Sequence, residues 1–95
     1  MIKWIYKPKG ACPVQAEGFF MGHYFYFRAR WDKITIDFSK TEEDWRLNNL
    51  TRTYLLCKTN GHTDAGWISE KKAIYNIYKG CIMFLFKLKS TSDRQ

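Results

Sequence analysis

No stretch of this 95-residue chain is apolar for long enough to cross a bilayer, which takes about 20 residues. The longest uninterrupted apolar run is Cys81 to Phe86. The N-terminus carries Lys3, Lys7 and Lys9 without an apolar h-region, so no signal peptide is expected. Cysteine is sparse: Cys12, Cys57 and Cys81 are an odd number and form no CxxC pair. With no export signal, this reads as free thiols in a reducing cytosol, a cytoplasmic protein with no membrane contact. Asn49-Leu50-Thr51 matches the glycosylation sequon, but a cytosolic chain does not meet that machinery.

Catalytic motifs are also missing. There is no GxSxG, GxGxxG or P-loop. Zinc needs four ligands at workable spacing, and Cys12, Cys57, Cys81, His23 and His62 are all isolated in sequence. Each cysteine is more simply a small core residue, and both histidines fall in expected turns. Cys57 and His62 stand five residues apart across a turn, a weak nucleophile–base signal. Glu42, Glu43 and Asp44 are consecutive, so they point in different directions and suit a helix start better than acid–base work. The reading is a non-catalytic protein without metal or cofactor.

Acid is the scarcer charge, nine Asp and Glu against 16 Lys and Arg, for a net charge of +7. Residues 1–31 carry +4, residues 32–53 carry −1 and residues 54–95 carry +4. A sequence pI of about 9.5 fits a nucleic-acid binder or a protein that meets an acidic partner, and equally a solvated basic surface. Aromatics are abundant at 18%, enough to supply much of the buried area that offsets ordering entropy in a short chain.

Strand periodicity dominates. Ile2, Trp4 and Tyr6 alternate with Lys3, Ile5 and Lys7 until Pro8 and Gly10. Residues 14–31 form a hairpin if Gly22-His23 is a type II′ turn. Phe20 then faces Phe25, Gly18 faces Phe27, Ala16 faces Ala29 and Val14 faces Trp31, all on one apolar face. The opposite face pairs Phe19 with Tyr26, Glu17 with Arg28 and Gln15 with Arg30. A Met21-Gly22 turn keeps both faces and only slides the pairs. Segregation of two strands under one register is the strongest fold signal here. Ile34, Ile36 and Phe38 make a third strand and Thr53 to Lys58 another; Asn60-Gly61 lies in an expected loop over 59–66. Ser39 with Glu42 is a capping-box pattern for a short helix around Trp45.

Ser69 can cap a helix with Glu70 in its first turn and a stripe of Ala73, Ile74, Ile77 and Tyr78. Gly80 suits its C-terminal stop. Cys81 to Lys89 reads two ways. Ile82, Phe84, Phe86 and Leu88 share a strand face, while Ile74, Ile77, Cys81 and Leu85 share a helical one; the strand is the favoured reading. The class is α+β: one domain over 1–89, a mostly antiparallel sheet of four to six strands packed by one helix, with 90–95 a frayed polar tail.

If Phe25, Phe27, Ala29 and Trp31 face the core, then Tyr24, Tyr26, Arg28 and Arg30 face solvent beside Phe19. Rings interleaved with guanidinium groups suit a protein hot spot, or base stacking with phosphate contacts, or an ordinary half-exposed sheet. The segment Cys12-Pro13-Val14-Gln15-Ala16-Glu17-Gly18 followed by Phe25-Tyr26-Phe27-Arg28-Ala29-Arg30 resembles a stretch shared by small accessory proteins of phages and prophages, with a weaker echo at Ala65-Gly66-Trp67-Ile68-Ser69. In that family a Gly follows the second Arg; here it is Trp31. The resemblance brings no catalytic residues. It implies a protein that acts stoichiometrically on a host protein or protein–nucleic acid complex, as anti-CRISPR inhibitors of defence nucleases do. The alternative is a nucleic-acid-binding module using the Tyr/Arg face. A DNA mimic would be acidic, which this chain is not.

Overall fold

The computed structural model describes residues 2–11, 13–30, 32–58 and 68–93. Five strands, β1 (Ile2–Lys9), β2 (Val14–Phe20), β3 (His23–Arg30), β4 (Lys33–Ser39) and β5 (Arg52–Lys58), form one antiparallel sheet in the order β1-β2-β3-β4-β5. A short helix α1 (Glu42–Arg46) joins β4 to β5, and a long helix α2 (Glu70–Asp93) follows. The expected α+β class and strand number are those observed. The expectations for Trp31, Cys12, His62 and the Asn60-Gly61 turn fall on residues outside the described ones.

The central hairpin turns at Met21-Gly22, where Phe20 pairs with His23. Both turn residues have positive φ, 52° and 79°, as a type I′ turn requires. The turn therefore sits one residue earlier than the Gly22-His23 reading. The pairs become Gly18–Phe25, Ala16–Phe27, Val14–Ala29, Glu17–Tyr26 and Gln15–Arg28. The faces are unchanged, since an antiparallel slide of two positions preserves side-chain parity. A β-carbon on Gly18 would lie 2.6 Å from the Lys3 carbonyl oxygen and 2.9 Å from Phe25 Cε2, so the ring crossing this bare backbone is Phe25.

The inner face gathers Val14, Ala16, Phe20, Phe25, Phe27, Ala29, Ile34, Ile36, Phe38 and Leu56, all buried. α2 covers it with Ala73, Ile77, Cys81 and Phe84. Phe84 stacks on Phe38 at 4.1 Å with nearly parallel planes and meets His23 edge-on at 5.0 Å. Residues 81–89 are thus helix and not strand, and Gly80 is a helix-interior residue and not a stop. The sequence allowed both periods; the helix prevails because it delivers Cys81 and Phe84 to the sheet on the same face as Ile77. The backbone stays helical to Asp93, into the segment expected as a tail. Ser69 is the cap as expected, its Oγ accepting from the Lys72 N–H at 3.2 Å. In α1 the cap is Thr41, whose Oγ1 accepts from the Asp44 N–H at 3.0 Å; Ser39 is buried and donates to the Thr41 carbonyl at 2.7 Å.

Gly80 lies where α2 packs directly against β4. A β-carbon there would stand 2.7 Å from Ile36 Cγ2. Gly→Ala in a helix gains about 1 kcal/mol of propensity, whereas overpacking a core costs about 1–3 kcal/mol. Ile36 is β-branched and enclosed, so it cannot rotate away. Gly80→Ala is expected to lower stability by about 1 kcal/mol in denaturant unfolding, and the loss should shrink or reverse in an Ile36→Ala background. Equal effects in both backgrounds would show that the two residues do not meet.

Candidate functional site

The outer face of the sheet is where the Tyr/Arg surface was expected. Its centre is roofed instead of open. α1 places the Trp45 ring 4.6 Å from Tyr26 and 5.8 Å from Tyr24, and Phe19 meets Tyr24 edge-on at 6.0 Å. Tyr24 is 0% exposed and Tyr26 is half-buried. Tyr24 is therefore unavailable to a base or a partner, contrary to its expected role. The cause is Trp45, which Asp37 Oδ2 anchors by accepting from the indole N–H at 3.0 Å. A five-residue helix folding back over the strand before it is a tertiary event that strand periodicity does not report.

The acceptors of this face serve the rings. Tyr24 donates to Glu17, Tyr26 donates to Gln15 Oε1 at 2.8 Å, and Asp37 Oδ1 accepts from Thr53 Oγ1 at 2.9 Å. Glu17 and Gln15, expected to serve Arg28 and Arg30, thus accept from tyrosine hydroxyls. Tyr6 joins them because β1 shifts register between Trp4 and Tyr6, so Trp4 meets Phe25 on the inner face while Tyr6 comes opposite Glu17. Burial, with the adjacent Glu17 carboxylate, raises the Tyr6 and Tyr24 hydroxyls well above the ordinary tyrosine range.

Beyond the rings the face opens. Arg28, Arg30, Lys33 and Thr35 line a concavity of about 210 Å³. Of the five residues expected to bind a partner, Arg28 and Arg30 line this groove, Tyr24 and Phe19 belong to the aromatic roof, and Tyr26 stands between.

A second surface was not anticipated. α2 is apolar on both sides, and the side turned from the sheet exposes Tyr75 (69%), Tyr78, Ile82, Met83 and Phe86 (68%). With Lys79 they follow the i, i+3, i+4, i+7, i+8, i+11 spacing of one helical stripe. Tyr75, Tyr78, Lys79, Ile82 and Met83 border an apolar hollow of about 290 Å³. From Lys71 to Leu88 the helix carries Lys71, Lys72, Lys79 and Lys87 and no acid. The signal was in the sequence, but reading 81–89 as a strand scattered these residues over two faces.

Among the described residues no three His, Cys, Asp or Glu side chains converge as a metal site, and no helix is long and apolar enough to cross a membrane. Cys81 is buried, which pushes its thiol up to about 12, whereas Cys57 is exposed. Comparison with known families, with curated proteins and with solved structures finds no match.

The roof has a pH consequence. Tyr6 and Tyr24 hold their protons more tightly folded than unfolded, where tyrosine ionises near about 10. Their contribution to stability is therefore full below pH of about 10 and is lost as pH rises beyond it. Tyrosinate absorbance and circular dichroism followed together should show these two rings ionising with unfolding and not before it. Tyr24→Phe, which takes a donor from Glu17, should cost about 1–3 kcal/mol at neutral pH.

Proposed function

We propose that the chain is a non-catalytic binding protein whose contact surface is the bare stripe of α2. The observation that carries this is the continuous exposed row Tyr75, Tyr78, Ile82, Met83 and Phe86 on a helix whose other side is already seated on the sheet. Such a patch is uncommon on a monomer without a partner, and Tyr is enriched in interface hot spots. A second copy is disfavoured as occupant, because it would bring the same lysines face to face. The chemistry fits an apolar groove rimmed with carboxylates on another protein.

The likeness of residues 12–18 and 25–30 to phage accessory proteins supports a setting, that of a phage-derived inhibitor which blocks or redirects a host macromolecule. A defence nuclease, bound in the anti-CRISPR manner, is the target class that reading favours. The alternative nucleic-acid module loses its stacking platform with Tyr24 under the roof.

Affinity capture from a bacterial host lysate tests this when wild type is compared with Tyr78→Ser plus Phe86→Ser. Both side chains are exposed, so the variant should keep its thermal midpoint. The expected result is a captured protein that survives nuclease treatment, binds the variant at least about tenfold more weakly, and is inhibited stoichiometrically. Capture indifferent to the double change, or lost on nuclease treatment, would overturn the reading. A dimer in sedimentation that the same change dissolves would reassign the stripe to self-association.

A further inference from the structure

We infer that a protein partner's carboxylates meet the α2 stripe at its N-terminal end, where Lys71 and Lys72 stand astride Tyr75, so that the segment it binds is a block of Asp or Glu running on into apolar residues. The inference rests on the reading of the stripe as the contact surface and adds where its charge is read. At 3.6 residues per turn, Lys71 falls about 40° to one side of Tyr75 and Lys72 about 60° to the other. Both lysines are exposed, and so is Tyr75. Glu70, the acid of this turn, lies about 140° round the axis from Tyr75 and does not screen them.

Three observations carry it. The first is that these lysines do nothing for the helix they belong to. Ser69 is the cap, so they occupy the first turn, where the helix dipole favours acids and disfavours cations. A local choice that works against its own element points to a use outside it. The second is that neither ammonium is engaged within the molecule: among the described residues, Lys71 and Lys72 have no side-chain partner. The third is the contrast with the other cations of α2. Lys79 lies in the middle of the row, but its Nζ donates to the Leu56 carbonyl at 3.3 Å, which draws the charge off the row toward β5. Lys87 falls about 100° round the axis from Phe86, beside the row and not on it.

Side chains on a helix lean toward its N-terminus, so the Tyr75 ring reaches back over the turn that carries the two ammoniums. A carboxylate placed there meets two cations and a hydroxyl donor together. Lysine is a compact point charge without the fork of arginine, so flexible Asp and Glu side chains satisfy it without a fixed geometry. The following turns present Tyr78, Ile82, Met83 and Phe86, which take apolar side chains. A nucleic-acid backbone is charged along its whole length and has no match for that part of the row. Acid first and apolar after is the pattern of a protein segment.

Amide NMR of the full chain tests this with a synthetic amphipathic peptide that carries Leu and Phe along one face and a block of Glu at one end, and with a twin whose block is Lys. The Glu peptide should give saturable shifts along Tyr75, Tyr78, Ile82 and Phe86, and the Lys twin should bind at least about tenfold more weakly. A spin label beside the Glu block should broaden Lys71 to Tyr75 first. Lys71→Glu plus Lys72→Glu should invert the preference between the peptides while the thermal midpoint holds or rises, since acids suit the first turn. A midpoint that falls would give the lysines a structural role and overturn the inference. So would broadening centred on Ile82 to Phe86, or displacement of the peptide by a short single-stranded DNA. Equal binding of the two peptides would also overturn it, and would leave the stripe as a purely apolar contact. No saturable shift from either peptide would overturn the contact surface itself.

Discussion

A helix lies on a sheet only as closely as its facing side chains allow, and at Gly80 α2 has no side chain to hold it off. Ile36 fills that gap, with a methyl 2.7 Å from where a β-carbon would be. The contact fixes the rotation of the helix about its axis. With Gly80 against β4, Ala73, Ile77, Cys81 and Phe84 must turn toward the sheet, and Phe84 reaches Phe38 in parallel stacking. The same rotation turns Tyr75, Tyr78, Ile82 and Phe86 to the far side. The bare stripe is thus set by the docking of the covered face, and a helix with apolar residues all round cannot hide both.

The outer face follows a different economy, one of acceptors. Burying Tyr24 beneath Trp45 and Phe19 removes its hydroxyl from water, and a buried hydroxyl needs a partner. Glu17 supplies it, Gln15 serves Tyr26, and Asp37 serves Trp45 and Thr53. Each of these bonds holds the roof to the sheet. Among the described residues the lining of the groove at the open end is Arg28, Arg30, Lys33 and Thr35. Aromatic closure at the centre is thus the result of these hydrogen-bond assignments.

How much of this was legible depends on the range of the interaction that decides it. The hairpin faces were readable because two strands carried the same period-2 message, and parity survives a slide of the turn from Gly22-His23 to Met21-Gly22. The Ser69 cap was readable because a hydroxyl and an N–H three residues on settle it locally. Residues 81–89 were not, since their apolar positions satisfy both periods and only contact with Ile36 and Phe38 decides between them. Nor was the roof over Tyr24: Trp45 lies 21 residues away along the chain, at a distance no local pattern reports. Tyr24 is covered and Tyr26 half-covered because α1 reaches the part of the face around them, while Arg28 and Arg30 line the groove beyond it.

The two surfaces stand on opposite sides of one sheet, which limits how they can work together. α2 and its stripe cover the inner face, while Arg28, Arg30, Lys33 and Thr35 belong to the outer one. A partner on the stripe does not touch the lining of the groove. The two faces meet at β4, where Ile36 contacts Gly80 inside and its neighbour Thr35 lines the groove outside. Communication through that strand needs a displacement of β4, and its pairing with both β3 and β5 resists one. The two faces are therefore physically independent, and occupation of the stripe is expected to leave the groove unmoved.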